Sequence, residues 1–314
     1  MKKTNLLAIL TLAATPAFLH AQVTSYSDVV GYSTSTFPGG TSGHGVGFVK
    51  PATFTGSATK LSTSSISVSG LTAANNSLAP SGGLPTHYVE ITSGANEGVS
   101  ADILSNTGTT IVLDADLTNI GSTESIVIRP HVKASDVFAG NTSLGDFSDT
   151  LLVYNSDGTT FSLLRDSSSP TGWIDPNTFS ASDVVIYPGQ GFLVNASSPG
   201  NFTFSGTVKR TATVVPLYAS SVNLVSVANP SGNPDIQTSG LGTNLSAYAD
   251  TVGTFTSDGS FSQNATYLWA GSPDNFIDPN LFTSVSGVTL PGVQAILVGV
   301  SSDTIWKAPA PYNP

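Results

Sequence analysis

One segment of the chain occurs twice, with small changes, about a hundred residues apart. Residues 173–194 read WIDPNTFSASDVVIYPGQGFLV, and residues 276–298 read FIDPNLFTSVSGVTLPGVQAILV. Upstream of both, Asp149-Thr150 corresponds to Asp250-Thr251 with an offset of 101. Self-similarity of this kind is typical of one supersecondary unit that is present twice. The two parts of the chain are therefore expected to fold alike.

The start of the first copy lies much further upstream than this spacing predicts. Segment 31–51 resembles segment 206–230 at offsets of 178 and 179, whereas Asp136-Val137 matches Asp235-Ile236 at an offset of 99. The difference predicts about 80 inserted residues, which exposed loops tolerate because loop-closure entropy grows slowly with length. An alternative is that this stretch only lengthens one sandwich. The predicted division is a signal peptide at 1–21, copy one at 30–51 plus 133–205, a nested β-domain at 52–132, copy two at 206–308 and a disordered tail at 309–314.

Short runs of alternating apolar and polar residues predict an all-β protein. Examples are HYVEITSG at 87–94 and NFTFSGTV at 201–208, where a period of two indicates half-buried strands. We expect two repeated antiparallel modules, sandwich-like or barrel-like, and a five-stranded barrel or sandwich nested in the first. The one helical turn predicted is at 133–140, capped by Ser135 or Asp136. The strands predicted for the nested domain are 64–69, 87–93, 99–104, 109–117 and 125–130.

The N-terminal residues predict export. Lys2 and Lys3 precede a short apolar run and a small residue, Ala21, which is the pattern of a signal peptide cut near that point. The run is too short to cross a bilayer, so we expect no membrane span after signal removal and an extracellular, cell-surface or periplasmic location. Removal of 1–21 takes two of the ten basic residues and leaves eight against twenty acidic ones. This balance argues against nucleic acid and anionic lipid as partners, because both need Lys and Arg.

The chain has no cysteine, and only 10% of its residues are charged. An exported protein without cysteine has no disulfides, so burial of apolar cores has to stabilise it. The absence of cysteine also excludes a thiol nucleophile and thiolate metal ligands. The polar surface predicted from the Ser, Thr, Gly and Asn content is rich in hydroxyl and amide groups.

Several of these segments resemble a known module. The strand SVNLVS at 221–226 and the endings PGQGFLV at 188–194 and PGVQAILV at 291–298 resemble a bacterial extracellular β-module with a GWNLVS strand and a closing PGxGYWV strand. Val222 departs from that pattern, which has Trp there. The chain as a whole is similar to an uncharacterised family of secreted β-proteins expanded as paralogues in Verrucomicrobia-type bacteria. The resemblance implies a structural module and carries over no catalytic residue.

A calcium site is one interpretation of the acidic residues. Asp114 and Asp116 are two apart in a predicted strand and would share a face. Together with Glu124 they could supply oxygen ligands to Ca²⁺, although Asn119 stands where an EF-hand has Gly. The alternative is a solvated strand face and turn. No other cofactor is expected.

Aromatic residues beside Asn and Asp would make a platform for stacking sugars, and burial in the core is the alternative. The candidate residues are Trp173, Tyr187, Tyr267 and Trp269. Three histidines remain after signal removal, but none has the spacing of a metal site. Ser42 and His44 are sequence neighbours, which does not make a catalytic triad.

These features favour an exported non-enzymatic β-repeat protein that is a structural or adhesive component of the cell surface or matrix. Its partners would be extracellular glycans or other surface proteins. A glycan-binding module protein is the alternative. An Asp/Glu-dependent glycoside hydrolase is a second alternative, which requires two carboxyl groups about 5–9.5 Å apart.

Overall fold

A computed structural model describes residues 29–116, 121–155, 158–227, 229–230, 232–272 and 275–311. The predicted signal peptide and the end of the predicted tail lie outside these residues. The described part is built almost wholly of antiparallel strands, so the all-β fold is confirmed. Across the described ranges, every helix is far too short to cross a membrane.

The strands are numbered along the chain as follows: β1 Val30–Phe37, β2 Gly40–Gly45, β3 Phe54–Lys60, β4 Ser65–Val68, β5 His87–Ile91, β6 Ser100–Asn106, β7 Thr110–Leu113, β8 Thr123–Pro130, β9 Val132–Lys133, β10 Thr150–Tyr154, β11 Thr160–Arg165, β12 Trp173–Ile174, β13 Val185–Ile186, β14 Gly191–Ala196, β15 Gly200–Thr207, β16 Thr213–Leu217, β17 Asn223–Ser226, β18 Thr251–Phe255, β19 Gln263–Trp269, β20 Phe276–Asp278, β21 Thr283–Ser284, β22 Ala295–Gly299 and β23 Thr304–Ala308. Helix α1 is Ala134–Val137, and two 3₁₀ turns cover Ile236–Thr238 and Leu241–Thr243.

Two sheets have the same strand order. The first runs β12-β11-β10-β14-β2 and the second runs β20-β19-β18-β22-β17, with β21 added beyond β20. Each is accompanied by a two-stranded ribbon, β1 with β15 and β16 with β23. We call the first sheet with its ribbon, helix α1 and the β9–β13 pair the first unit, and the second sheet with its ribbon and 3₁₀ turns the second unit. Their duplication and their boundaries stay predictions, which superposition of the backbones tests.

Each unit has its own apolar interior, as the alternation of its strands requires. The interior strand β14 is buried along GFLV, and β22 is nearly so along AILV. These are the unbroken apolar runs that the sequence shows after each Pro-Gly. The core of the first unit includes Trp173, Phe192 and Phe138, and that of the second includes Phe276, Ile296 and Trp306.

Strands β3 to β8 close into a barrel in the order β3-β4-β7-β6-β5-β8. Its interior is filled by a third apolar cluster that includes Ile103, Ile111 and Ile128. The cavity left inside is about 20 Å³, enough for about one water molecule. The barrel has six strands where five were predicted. Strand β3 was missed because its sequence, FTGSATK, is dominated by small residues and has little β propensity.

The two sheets touch along the faces of β2, β14, β17 and β22. Leu193, Leu224 and Ala295 form a small apolar cluster there. Gly45 allows the close approach, because a Cβ atom at this position would lie 1.9 Å from the Ser226 Oγ. Backbone hydrogen bonds cross the contact from Gly45 N–H to the Val293 carbonyl at 2.9 Å and from Thr41 N–H to the Gly259 carbonyl at 2.8 Å.

The predicted helical turn is present, but its cap differs from the prediction. The N-cap is Lys133. Asp136 occupies the third helical position, and its carboxylate accepts a 2.8 Å hydrogen bond from the Lys133 N–H. Ser135 N–H and hydroxyl both donate to Asp183 instead. The prediction placed the cap too late because two side chains with capping chemistry follow one another here.

Candidate functional site

Four exposed aromatic residues have a backbone conformation that such residues rarely adopt. Phe147, Phe179, Tyr248 and Phe282 have φ angles of 56°, 54°, 60° and 52°. Their side chains are 62%, 65%, 62% and 70% exposed. We call the two turns in each unit that carry them the aromatic turns. A bulky residue at positive φ is an outlier that favours a functional explanation.

The first aromatic turn of each unit is held by a buried aspartate. Asp149 accepts hydrogen bonds from Gly145 N–H at 2.8 Å and from Ser197 N–H at 2.9 Å. Asp250 makes the same two bonds, with Ser246 N–H and Ser301 N–H, both at 2.7 Å. The aromatic residue stands two positions before each aspartate and points away from this buried anchor, with its side chain in solvent.

The N–H groups of these aromatic residues are also fixed in the same way. Phe147 N–H donates to the Arg165 carbonyl at 2.9 Å, and Tyr248 N–H donates to the Trp269 carbonyl at 2.6 Å. Arg165 and Trp269 both end the second strand of their sheet. The first aromatic turn is therefore hydrogen-bonded to the last residue of the corresponding strand in each unit, β11 in the first and β19 in the second.

The second aromatic turn follows the buried aromatic residue of the repeated IDPN motif. Asp175 accepts from Asn177 N–H and Asp278 from Asn280 N–H, both at 2.7 Å, so each Asp side chain closes an Asx turn. The Asp175 carbonyl then accepts from Phe179 N–H at 2.8 Å. The Asp278 carbonyl accepts from Phe282 N–H at the same distance. The aromatic residue stands in the left-handed position that usually has glycine.

The pKa shifts of Asp149 and Asp175 favour the charged carboxylates that accept the hydrogen bonds of these turns. Burial by itself would raise the pKa of Asp149, but the N–H groups of Gly145 and Ser197 donate to the carboxylate and lower the net pKa below its usual value. The Asn177 N–H likewise lowers the pKa of the half-buried Asp175. Both carboxylates are therefore charged at neutral pH, and the turns they close are preformed.

The aromatic rings do not contribute to the fold by burial. A non-glycine residue in the left-handed region costs about 1–2 kcal/mol, and rings as exposed as these regain little of it from apolar burial. What the rings offer is a flat apolar face presented to solvent beside amide and hydroxyl groups. This combination suits stacking on the apolar faces of sugars or of other rings.

The aromatic residues predicted as a sugar platform lie elsewhere. Trp173 is fully buried in the first core and 5.6 Å from the Arg165 guanidinium, so the prediction is wrong for this residue. Trp173 lies on the short edge strand β12, paired with Arg165, and its side chain is on the face that packs into the core. Tyr267 and Trp269 pack against the second core and are partly covered. Tyr187 is 40% exposed, and its hydroxyl donates to Asp102 at 2.8 Å.

The predicted calcium ligands are not brought together. In the described ranges, no cluster of three or more acidic or histidine side chains could hold a metal ion. Strand β7 ends at Leu113, so Asp114 and Asp116 are not fixed on one strand face. Asp114 accepts from Asp102 N–H at 2.8 Å, whereas Glu124, on β8, accepts from the Ser93 hydroxyl at 3.3 Å. Strand β8 is three strands away from β7 in the closed barrel, whichever way round is counted.

A cluster of buried charges joins the barrel to the segment between the two units. Lys209 follows β15 and is 3% exposed, and Glu90 on β5 is 1% exposed. The Lys209 ammonium lies 2.7 Å from Glu90 Oε1, and Arg129 Nε lies 3.8 Å from Glu90 Oε2. The cluster is not apparent from the sequence because its three members come from distant parts of the chain.

Asp102, His131 and Tyr187 form a second group at the same side of the barrel. His131 is buried, and its Nε2 lies 2.9 Å from Asp102 Oδ1. Burial and then the nearby Asp102 charge raise the pKa of Asp114. A carboxyl group with a raised pKa beside a second carboxylate is a feature of some hydrolytic sites.

His44 belongs to the interior of the first unit. Its two ring nitrogens lie 2.8 Å from the hydroxyl oxygens of Ser35 and Ser42, and all three residues are buried. Burial lowers the pKa of His44 to about 4, so the ring is neutral at pH 7. A serine on each nitrogen leaves no place for the orienting carboxylate of a triad.

One signal in the sequence points to the aromatic turns. Phe147 and Tyr248 are 101 residues apart, and Phe179 and Phe282 are 103 apart, which are the offsets of the neighbouring Asp pairs. An aromatic residue at the same position of both predicted copies could have been noticed. The exposure and the positive φ could not. Comparison of the chain with protein-family models, curated proteins and solved structures finds no match in any of the three.

Proposed function

We propose that the protein is an exported, non-enzymatic β-repeat protein that works as an adhesive component at the cell surface or in the extracellular matrix. Its two units would be copies of one module, and their aromatic turns would hold a glycan polymer. The observation that carries this proposal is the presence of exposed aromatic residues, at unfavourable φ angles, in the same two turns of both units.

The surrounding chemistry supports a neutral, hydroxyl-rich ligand. Asn177 and Thr178 immediately precede Phe179, and Asn280 stands two residues before Phe282. The chain carries a formal net charge of −10, which opposes binding to nucleic acid. Two sites on one chain that meet the same polymer would reinforce each other, because the second contact forms within an existing complex.

The test is co-sedimentation of the purified exported chain with insoluble cellulose, chitin and peptidoglycan sacculi. The variant combines Phe147→Gly, Phe179→Gly, Tyr248→Gly and Phe282→Gly, since glycine accepts the positive φ without strain. The matched control is Tyr32→Thr, which removes a 75% exposed ring from the regular strand β1.

We expect at least one polymer to bind the wild type and the control equally, and the fourfold variant to bind on the order of 100-fold more weakly. Variants that lose the rings of one unit should lie between these values. The proposal is overturned if none of the three polymers binds the wild type, or if the fourfold variant binds as well as the wild type.

A glycoside hydrolase is the second candidate, and the raised pKa of Asp114 beside Asp102 favours it. It predicts release of soluble sugars from the same polymers and loss of that release in Asp114→Asn. If sugars are released by the wild type and not by the variant, the non-enzymatic assignment is wrong.

A further inference from the structure

Of the lysines in the described ranges, Lys209 alone is buried, and its partner is buried too. The two side chains are 4% and 1% exposed, and Nζ lies 2.7 Å from Glu90 Oε1. The ammonium also donates to the Ala212 carbonyl and to the Thr211 hydroxyl oxygen, the latter at 2.9 Å. The Thr211 hydroxyl in turn donates to Glu90 Oε1. Amine and carboxyl group are thus held in contact in a site from which water is excluded.

Burial makes this ion pair an unfavourable state. Desolvation of two charges can exceed their attraction unless every remaining polar atom is hydrogen-bonded. Glu90 Oε2 and Arg129 Nε are buried and have no hydrogen-bond partner. Their separation of 3.8 Å is beyond hydrogen-bond range.

We propose that Lys209 and Glu90 are joined by an intramolecular amide bond between Nζ and Cδ. The bond would link the barrel covalently to the segment between the two units. It would be a permanent cross-link in an exported chain that has no cysteine for disulfides.

The step needs no other reactant. A proton passes from the ammonium to the carboxylate, and the neutral amine attacks Cδ to form the C–N bond. The Cδ–Oε1 bond then breaks, and Oε1 leaves with two of the three original ammonium protons as one water molecule. Oε2 becomes the amide oxygen, so the pair loses one positive and one negative charge and no redox change occurs.

The neighbouring groups suit this step. Burial lowers the pKa of the Lys209 amine, although the charge of Glu90 opposes the shift, so the neutral nucleophile is more accessible than at a surface lysine. The Arg129 guanidinium lies near Oε2, where negative charge develops in the tetrahedral intermediate. The Thr211 hydroxyl, which contacts Oε1, can pass a proton to the leaving oxygen. Fixed contact between the reacting groups replaces a bimolecular encounter.

The chain contains a matched pair that should not react. Lys50 Nζ lies 2.7 Å from Asp136 Oδ2, the same distance as in the Lys209–Glu90 pair. These side chains are 27% and 31% exposed, so water solvates both charges. Burial, and not distance, then decides which pair forms an amide.

The experiment is mass spectrometry of the full exported chain and of its tryptic peptides under denaturing conditions. The wild type should be lighter than its sequence by one water, and peptides 61–133 and 166–210 should appear as one branched species. Lys209→Arg keeps the positive charge but presents a guanidinium, which stays protonated, and it should have the full mass and two separate peptides.

The wild-type measurement decides the question even if the variant does not fold. A wild-type chain of full mass, with the two peptides separate, overturns the proposal. So does a lost water that maps to Lys50 and Asp136, because the argument from burial would then fail. Neither result depends on glycan binding.

Discussion

The two units place different side chains against the same buried aromatic position. In the first, Arg165 is the strand partner of Trp173, and its guanidinium donates to the Gly172 and Asn141 carbonyls at 2.8 and 2.9 Å. In the second, Trp269 is the strand partner of Phe276, with ring centroids 5.0 Å apart. One interior uses a buried cation that bridges loops, and the other uses aromatic packing.

The aromatic turns, in contrast to the interiors, are alike in the two units. Both units present an aromatic residue two positions before the buried aspartate and another after the IDPN motif. One set of core side chains can replace another if the total side-chain volume is kept and the buried polar groups stay hydrogen-bonded. An exposed ring has no such internal partner, and the glycan contact proposed above would account for its presence in both units.

The largest expected effect comes from removal of the buried aromatic residue in each unit. Trp173→Ala and Phe276→Ala should each lower the free energy of unfolding by about 3–5 kcal/mol. The loss should be greater for Trp173, because the buried Arg165 also loses the ring on which it lies. Urea unfolding followed by circular dichroism measures both. Equal losses would mean that the cation over the ring contributes nothing.

Replacement of Arg165 tests the same contact by removing the guanidinium instead of the ring. Arg165→Met should lower the free energy of unfolding by about 1–3 kcal/mol, because two carbonyls lose their charged donor. Trp269→Phe, which keeps an aromatic partner for Phe276, should have the smaller effect in the same assay. The reverse order would show that the guanidinium is dispensable.

Asp149, which anchors the first aromatic turn of the first unit, provides a pH test. The pKa of Asp149 is lowered in the folded state, so its contribution is fully present above the unfolded pKa of about 3.9 and is lost as the pH falls through the folded value. Asp149→Asn should cost about 1–2 kcal/mol at pH 7 and flatten the decline of stability in acid. Unfolding midpoints from pH 2 to pH 7 measure this. An unchanged acid decline in the variant would contradict the assignment.

The smallest expected effect is a gain in the free energy of unfolding. Phe147→Gly and Tyr248→Gly should each stabilise the fold, or leave it unchanged, within about 1 kcal/mol, because glycine relieves the strain at positive φ. The entropy that glycine adds to the unfolded chain offsets part of the gain. A clear loss of thermal stability in either variant would show that the ring packs against the fold, and would remove the main support for an external ligand.

Much of the framework could be predicted because it depends on local pattern. The alternation in segments such as 201–208 predicts strands, and β15 is present there. The IDPN motif recurs in the sequence, and its Asp side chain closes the same turn at Asp175 and at Asp278. Strand β3 was not predicted because small residues give little of the alternating apolar pattern that indicates a strand. Trp173 was misplaced because sequence does not say which face of a short edge segment packs inward.

The candidate sites depend on contacts between residues that are far apart in the sequence. The amine of Lys209 and the carboxyl of Glu90 meet only when the barrel closes and the chain returns past it 119 residues later. The predicted calcium ligands show the opposite case. Asp114 and Glu124 are near in sequence, but Asp114 follows β7 and Glu124 lies on β8, three strands away around the barrel.

The sequence alone determined the strand-rich composition, the absence of disulfides, the acidic balance and the recurrence of a turn motif, because these are properties of residue type and local order. Tertiary structure decided which aromatic rings face water and which charges are buried in contact. Burial is a property of surfaces brought together from distant segments, and no local pattern specifies it.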